Sequence, residues 1–230
     1  MSRIEVILCK DLDDLSDKIV KLVCHVKPKV FGVSGGTTYT KVYESLNAKH
    51  CDDDFWRALS LVLVDERWVL PDDPESNLGL LLSTLLKDVR PKDLIFPDTT
   101  KDRDNALSEF EAKLKTALEK KPSLALLGIG EDGHTASLFP GSCVNDDRLA
   151  IFVDNAPKPP PKRVSLTFKA LSMFDTVVLA ASGYPKSSSV QRILDGDTTI
   201  PAARIRGIER TLLFIDEQAA SLSRYISKEL

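Results

Sequence analysis

The sequence contains few of the features that mark membrane, secreted or nucleic-acid-binding proteins. No segment approaches 18 consecutive apolar residues, so no membrane-spanning helix is predicted. The amino terminus lacks a long apolar stretch with a small-residue cleavage site, which argues against a secretory signal. The 31 basic side chains nearly balance the 34 acidic ones, giving a formal net charge of -3, so no general positive field attracts nucleic acid. We therefore expect a cytoplasmic protein in which a few placed cations bind any anion.

Cysteine is also scarce, and its spacing argues against a metal site. There is no C-x-x-C pair and no histidine at metal-ligand spacing among the four cysteines, Cys9, Cys24, Cys51 and Cys143. We expect all four to be buried, reduced thiols, and we predict no bound metal.

What the sequence does contain is an alternation of short apolar runs with longer amphipathic stretches. The apolar runs predict strands buried on both faces, at residues 4–8, 29–34, 59–65, 123–129, 149–154, 163–168, 175–181 and 211–216. The intervening stretches predict helices at residues 11–26, 38–49, 75–87, 103–120, 186–194 and 217–228. This alternation indicates one α/β domain over residues 1–230, a Rossmann-like fold whose doubly wound, mostly parallel sheet has helices on both faces. In such sheets the ligand binds beyond the carboxyl ends of the strands, where four polar loops begin here.

The first of these loops, "SGGTT", has the composition of an anion site. It leads from a strand into a helix, so its backbone N–H groups and the helix dipole can hold a phosphate. The residues that can contribute are Ser34, Gly35, Gly36, Thr37 and Thr38. A tight turn capped by Ser or Thr is the alternative, and the spacing of a Walker A loop is absent.

The second loop begins with three consecutive charged residues, Asp65, Glu66 and Arg67. A purely structural turn more often uses Gly or Asn, so we expect at least one of these side chains to point into the cleft. Asp65 and Glu66 are possible acid or base groups, while Arg67 can present a bidentate fork to phosphate or carboxylate. A solvated cluster of salt bridges is the alternative. Ser76 is expected to cap the helix that follows.

The third loop, "GIGEDGHTASLFPG", matches the dinucleotide fingerprint G-x-G-x-x-G at Gly128, Gly130 and Gly133. Asp154 stands where the fingerprint expects a ribose-binding acid. However, Pro140 and Gly141 would end any helix here after about two turns, whereas the fingerprint needs a longer one. We therefore interpret the match as accidental.

The same loop presents His134 close to Asp132, which we expect at the start of a short helix. An unperturbed imidazole titrates at about pH 6.5, and a neighbouring carboxylate can fix its tautomer, so the pair suits general base catalysis. A Ser-His-Asp esterase is disfavoured because the chain has no G-x-S-x-G segment, which makes water the expected nucleophile. His25 and His50 stand near predicted helix ends and are interpreted as surface or packing residues.

Two more cations follow. The fourth loop, "SGYPKSS", places Lys186 in the first turn of a helix, where a positive charge gains nothing from the dipole and therefore indicates a ligand. A solvated lysine is the alternative. The stretch "APKPPPKR" is interpreted as a stiff loop that delivers Arg163 to a fixed place.

Taken together, "SGGTT", "VDERWVLPDDPESN", "GIGEDGHTASLFPG", "PKPPPKRVSLTF" and "SGYPKSSSV" resemble, in order, the motif series of the 6-phosphogluconolactonase family. The segments span residues 31 to about 194, and D-E-R and D-G-H-T-A-S-L-F-P stand nearly letter for letter as in the family. The related glucosamine-6-phosphate deaminases typically carry D-E-Y and an Asn-Glu pair soon after the histidine, where this chain has Ser137, Leu138 and Phe139. A lactonase is therefore favoured over a deaminase/isomerase or a non-catalytic sugar-phosphate binder.

The resemblance implies hydrolysis of 6-phospho-D-glucono-1,5-lactone to 6-phosphogluconate in the oxidative pentose phosphate pathway, with neither a metal nor a cofactor. It implies that His134 is the base and that Arg67 lies near the lactone or its phosphate. The residues that would hold the phosphate are Gly36, Thr37, Arg163 and Lys186. The expected partner is a small sugar-phosphate lactone, with no nucleic acid and no membrane, and the chain is expected to be a monomer or a homodimer.

Overall fold

The computed structural model describes residues 3–49, 53–142, 144 and 146–223. Its strands are, in chain order, β1 (Ile4–Cys9), β2 (Val30–Val33), β3 (Ser60–Leu63), β4 (Asp65–Arg67), β5 (Asp93–Ile95), β6 (Ser123–Gly128), β7 (Ala150–Val153), β8 (Arg163–Leu166), β9 (Thr176–Ala181) and β10 (Arg210–Asp216). Its α-helices are α1 (Leu12–Val26), α2 (Thr37–Lys49), α3 (Asp53–Ala58), α4 (Asn77–Ser83), α5 (Arg103–Leu118), α6 (Phe168–Leu171) and α7 (Ser187–Leu194).

Seven of the strands form one parallel sheet, in the order β1-β10-β9-β6-β2-β3-β5. On one side of the sheet β2 is followed by β3 and β5 toward the edge. On the other side β6 is followed by β9 and β10. The strand order therefore reverses between β2 and β6, which is the place where open α/β sheets bind ligands. The predicted doubly wound, mostly parallel sheet is confirmed.

Both faces of this sheet are covered, which explains why its strands are continuous apolar runs rather than alternating ones. Val30, Val62 and Leu127 belong to the buried cluster that includes α5 and α6. Their chain neighbours point to the opposite face and belong to the buried cluster that includes α1 and α2. These sheet residues are Phe31, Val33, Leu61, Leu63, Leu124 and Leu126. The expected burial of both faces is wrong for β1, where Val6 is 41% exposed, because β1 is the edge of the sheet.

The remaining strands form a separate antiparallel sheet in the order β4-β8-β7. The strands predicted at 149–154 and 163–168 are therefore present, but they are not part of the parallel sheet. The sequence reasoning missed β4 because it is three residues long and fully charged. Pairing of β4 with β8 sets Asp65 opposite Ser165 and Arg67 opposite Arg163.

The other differences from the predicted elements are local. Helix α4 is shorter than the predicted 75–87, but Ser76 caps it as expected, since its Oγ accepts from the Gly79 amide at 3.1 Å. The short elements α3, α6 and β5 were not predicted. The helix predicted at 217–228 is wrong in its described part, because residues 217–222 form turns, and residues 224–228 lie outside the described residues.

The cysteine prediction is confirmed in one place and wrong in another. Cys9 is a buried free thiol, whereas Cys24 is disulfide-bonded, because spacing alone does not show which cysteines a fold brings together. Cys51, Cys143 and His50 lie outside the described residues, and His25 is exposed as expected. None of the described helices is both long enough and apolar enough to span a membrane.

Candidate active site

The loops that leave β2, β3, β6 and β9 surround one pocket at the carboxyl edge of the parallel sheet. The empty space of the pocket, including its open mouth, is about 620 Å³. All of the predicted site residues except Asp132 and Glu66 line it. The sequence therefore predicted both the edge of the sheet and most of the side chains that meet there.

The "SGGTT" loop forms the floor of the pocket, and its backbone is the part suited to an anion. Helix α2 begins at Thr37, so the first amide groups of this helix have no partner within it. Gly36 has a φ of 103°, which favours glycine. At Gly35 a Cβ would lie 1.9 Å from Asn77 Oδ1, so only glycine fits there. The Ser34 hydroxyl donates to the Leu126 carbonyl at 2.9 Å, and it therefore cannot also donate to a ligand.

Two buried tyrosines, which the sequence reasoning missed, hold this loop against the sheet. The Tyr39 hydroxyl donates to the Leu127 carbonyl at 3.1 Å, and the Tyr43 hydroxyl donates to the Ser34 carbonyl. Burial raises the pKa of both hydroxyls well above their ordinary value, so both remain donors. Their i, i+4 spacing in a predicted helix was the available signal.

The alternation of side chains along β4 divides the D-E-R motif between two faces. Asp65 and Arg67 line the pocket, which confirms that charged side chains of this motif point into the cleft. Asp65 Oδ2 accepts from the Ser137 hydroxyl at 2.7 Å, and the Asp65 carbonyl accepts from Asn77 Nδ2 at 2.8 Å. Asn77, a pocket residue that the sequence reasoning missed, thus ties β4 to α4.

Glu66 lies on the other face of β4 and binds the start of α4. It is 2% exposed, and its carboxylate accepts from the amides of Arg67, Asn77 and Leu78, each at 2.7 Å, and from the Ser76 hydroxyl at 3.2 Å. Burial raises the pKa of this carboxyl, although the amide bonds oppose that effect. Glu66 is thus a helix-capping group outside the pocket, and these contacts give an acid or base role no support.

Replacing Glu66 by glutamine should lower the free energy of unfolding by about 1–3 kcal/mol, because one carboxylate oxygen becomes an NH₂ group that faces amide donors. Urea unfolding followed by circular dichroism measures the difference. Glu119→Gln, on an exposed residue, is the matched control and should leave stability unchanged within about 0.5 kcal/mol. Equal stability of the two variants would show that the capping contacts contribute little.

Two arginines occupy the pocket wall that β4 and β8 form. Arg163 is 5% exposed, and its Nε and Nη2 donate to the carbonyls of Pro160 at 2.9 Å, Lys158 at 3.0 Å and Pro159 at 3.2 Å. The proline-rich loop therefore holds this guanidinium in place. Burial lowers the pKa of Arg163, Asp65 opposes that change, and Arg67 adds to it. Like charges opposite each other in a sheet are unfavourable, so this pair favours an anion in the pocket.

Lys186 reaches the pocket from a single 3₁₀ turn, residues 184–186, directly before α7. Asp216 at the end of β10 holds the start of this turn, since its carboxylate accepts from the Gly183 amide at 3.0 Å. Burial lowers the pKa of the Lys186 ammonium, while the Glu131 carboxylate opposes that change. No hydrogen bond or ion pair within 4.0 Å engages this ammonium in the described part of the chain, so it is available to a ligand.

The His134 imidazole lines the same pocket as the "SGGTT" loop. Asp132 fixes its orientation. Nδ1 is 2.5 Å from Asp132 Oδ1. An ionised carboxylate only accepts hydrogen bonds, so Nδ1 carries the hydrogen and Nε2 is left as the basic nitrogen. A Cβ on Gly130 would lie 2.0 Å from His134 Nδ1, so this position requires glycine.

Ionisation of this pair follows from burial and proximity. Burial lowers the pKa of His134, and the Asp132 carboxylate opposes that change without reversing it. Burial alone would raise the pKa of Asp132, but the neighbouring imidazole and its hydrogen bonds outweigh burial and hold that pKa below its ordinary value. A neutral imidazole beside an ionised carboxylate is the state that a general base needs.

The short helix expected after this turn is wrong. Residues 135–138 form a tight turn in which the Leu138 amide donates to the Thr135 carbonyl at 3.0 Å, and Ala136 has a φ of 50°. Ser137 instead forms hydrogen bonds with Asp65 and Ser165, which prevents helical continuation.

Without a helix the dinucleotide fingerprint has no structural basis. Asp154 is exposed and forms an ion pair with Arg103 at 2.8 Å.

Comparisons with known proteins show which family and which proteins the chain resembles. The profile of the family described as glucosamine-6-phosphate isomerases/6-phosphogluconolactonase matches residues 12–214. The chain is 32% identical to the 6-phosphogluconolactonase of Thermotoga maritima over 89% of its own length and 91% of that protein. It is 33% identical to the rat enzyme of the same name over 83% and 79% of the two chains.

Solved structures show the same likeness. The crystal structure of 6-phosphogluconolactonase from Thermotoga maritima superimposes with a TM-score of 0.83 at 30% identity, covering 94% of this chain and 100% of the other. A monomeric glucosamine-6-phosphate deaminase superimposes almost as well, with a TM-score of 0.82 over 95% and 99% of the chains, but at 21% identity. That second likeness shows the fold alone, so the choice between the two chemistries depends on the residues in the pocket.

Proposed function

Because the chain belongs to the glucosamine-6-phosphate isomerase/6-phosphogluconolactonase family, we propose that it hydrolyses 6-phospho-D-glucono-1,5-lactone to 6-phospho-D-gluconate. One observation carries the proposal: a histidine oriented by a carboxylate shares a pocket with the "SGGTT" loop, here called the glycine cradle, and with three cations. The cations are Arg67, Arg163 and Lys186. Ester hydrolysis needs a base for water, and a phosphorylated substrate needs an anion site. Arg67, where deaminases typically have tyrosine, favours the lactonase within the family.

In this proposal His134 serves both halves of the reaction. Its Nε2 takes a proton from a water molecule while the water oxygen forms a bond to C1 of the lactone. The C1–O bond of the ring then breaks, and the imidazolium gives the same proton to the departing ring oxygen. Asp132 keeps the ring in the required tautomer and stabilises the imidazolium. Asp65 is a second negative charge that favours the imidazolium.

The phosphate is assigned to the opposite side of the pocket. The amide groups at the start of α2, around Gly36 and Thr37, supply fixed donors and the positive end of the helix dipole. Lys186 and Arg163 supply charge, and Arg67 extends the positive wall toward the lactone ring. The Thr38 hydroxyl is a further donor that lines the pocket, and the Gly35 backbone approaches closely because it lacks a side chain.

The direct test is a coupled assay of 6-phosphogluconate formation from freshly made lactone. Since the lactone also opens spontaneously, His134→Ala at equal concentration is the blank. We expect the wild-type rate to exceed that blank clearly. A wild-type rate no higher than the opening of the lactone without enzyme, or release of ammonia from glucosamine 6-phosphate, would reject the proposal. A cytoplasmic location and a monomeric or homodimeric state stay predictions.

The pH dependence should follow from the lowered pKa of His134. The base acts in its neutral form, so activity is lost as the pH falls through the pKa of the folded protein. Because burial holds that pKa below the ordinary 6.5, the midpoint of the acidic limb of kcat/KM should lie below pH 6.5. The profile is measured from about pH 5 to 8 with a blank at each point. His25→Ala, on an exposed histidine, should leave the limb in place. A midpoint above pH 6.5 would contradict this assignment.

A further inference from the structure

Phe139 is one of the buried apolar side chains of the protein. It is 5% exposed, yet it is a member of neither of the two core clusters that cover the faces of the sheet. It is also not among the residues that line the pocket. Its ring contacts two side chains that do line the pocket, His134 and Arg163.

The first contact is with the imidazole of His134. The two ring centroids are 4.8 Å apart, and the ring planes are tilted by 40°. The hydrogen bond to Asp132 restrains one edge of the imidazole, but a single bond at Nδ1 leaves the ring free to tilt about that bond. Packing against Phe139 removes this freedom and excludes water from that side of the ring. The two contacts together therefore fix the direction of Nε2.

The second contact is with Arg163, whose guanidinium carbon lies 5.6 Å from the centroid of the Phe139 ring. This distance is within the reach of a cation–π interaction. The loop carbonyls of residues 158–160 bind Nε and Nη2, while no acceptor for Nη1 is seen in the described residues. The aromatic ring therefore adds a contact that the loop carbonyls do not provide.

We propose that Phe139 is a positioning residue whose ring aligns the base, His134, with the phosphate-binding cation, Arg163. The inference rests on the proposed function, because it concerns how that one site is aligned. It assigns Phe139 a role through two other side chains and no contact with the reacting atoms. Misplacement of a catalytic group by about 1 Å can cost as much as 10²-fold in rate, so a single ring is sufficient for a measurable effect.

The test compares Phe139→Leu with Phe168→Leu. Phe168 is a matched control, because it is 8% exposed and packs under Arg204 at 3.7 Å, but it belongs to a core cluster and lies outside the pocket lining. Leucine retains apolar volume and removes the flat ring in both places. We expect Phe139→Leu to lower kcat about 10-fold and to raise KM through Arg163, while Phe168→Leu lowers stability and leaves kcat unchanged.

A second measurement does not depend on the substrate. The chain has three histidines, so NMR titration can follow His134, identified by the signal missing from His134→Ala. Because burial has the largest influence on this imidazole, its pKa should rise toward 6.5 in Phe139→Leu and stay in place in Phe168→Leu. If Phe139→Leu does not fold, Phe139→Tyr, which retains the ring, should keep kcat within about threefold of the wild type.

The outcomes separate this inference from the proposed function. An inactive wild type with a shifted His134 titration in Phe139→Leu would reject lactone hydrolysis and keep the alignment of the imidazole. An active wild type with unchanged kcat and unchanged titration in Phe139→Leu would reject the role of Phe139. Equal losses of kcat in both leucine variants, or a tenfold loss in a folded Phe139→Tyr, would also reject it.

Discussion

Replacing His134 by alanine should lower kcat by about 10² to 10⁴, the usual contribution of a positioned acid–base group. The variant keeps the glycine cradle and the three cations of the pocket, so KM for the lactone should change little. The His134 imidazole has a basic nitrogen and an orienting carboxylate, and it lines the pocket. Steady-state kinetics on freshly made lactone, corrected for spontaneous opening, measure the effect.

Asp132→Asn distinguishes a base from a merely buried histidine. An asparagine amide can donate to Nδ1, which would place the hydrogen on Nε2 and leave no basic nitrogen facing the water. We therefore expect a large loss of kcat with the pocket intact. His25→Ala, on an exposed residue outside the pocket lining, should be fully active. A His134→Ala enzyme with the kcat of the wild type would remove His134 from the mechanism.

The fold could be predicted largely because burial on both faces leaves a clear signal. Runs such as residues 124–127 and 177–181 are apolar at every position, since neighbouring strands and helices cover both of their faces. What could not be predicted depends on pairing between distant segments. Residues 65–67 become a strand only because residues 163–166 pair with them, and no local pattern in a three-residue charged segment indicates that.

The site shows the same division between local and distant information. The glycine cradle and the His134 turn could be predicted because each motif has chemistry of its own within a few residues. The different roles of Asp65, Glu66 and Arg67 could not be predicted, because they depend on how side chains alternate along β4 and on where α4 lies. Asp65 and Arg67 face the ligand side, and Glu66 caps a helix that begins eleven residues later. Tyr39, Asn77 and Phe139 act through contacts that only the folded chain contains.

Replacing Lys186 by methionine should raise KM for the phosphorylated lactone about 10- to 150-fold. A hydrogen bond to a charged group contributes about 1.5–3 kcal/mol, and in the described part of the chain no hydrogen bond or ion pair within 4.0 Å engages this ammonium. Lys186 is a cleaner probe than Arg163, whose guanidinium also binds three loop carbonyls. Methionine keeps most of the unbranched side chain, so the loss reports the charge rather than packing.

The decisive comparison is with glucono-1,5-lactone, which lacks the phosphate. If Lys186 binds phosphate, Lys186→Met should change kcat/KM for this lactone far less than for the phosphorylated one, because the ring and the ester are the same in both. Lys162→Met, on an exposed lysine outside the pocket, controls for the change in net charge and should affect neither substrate. Equal losses on both lactones would place Lys186 at the reacting ester and would leave the glycine cradle without its cation.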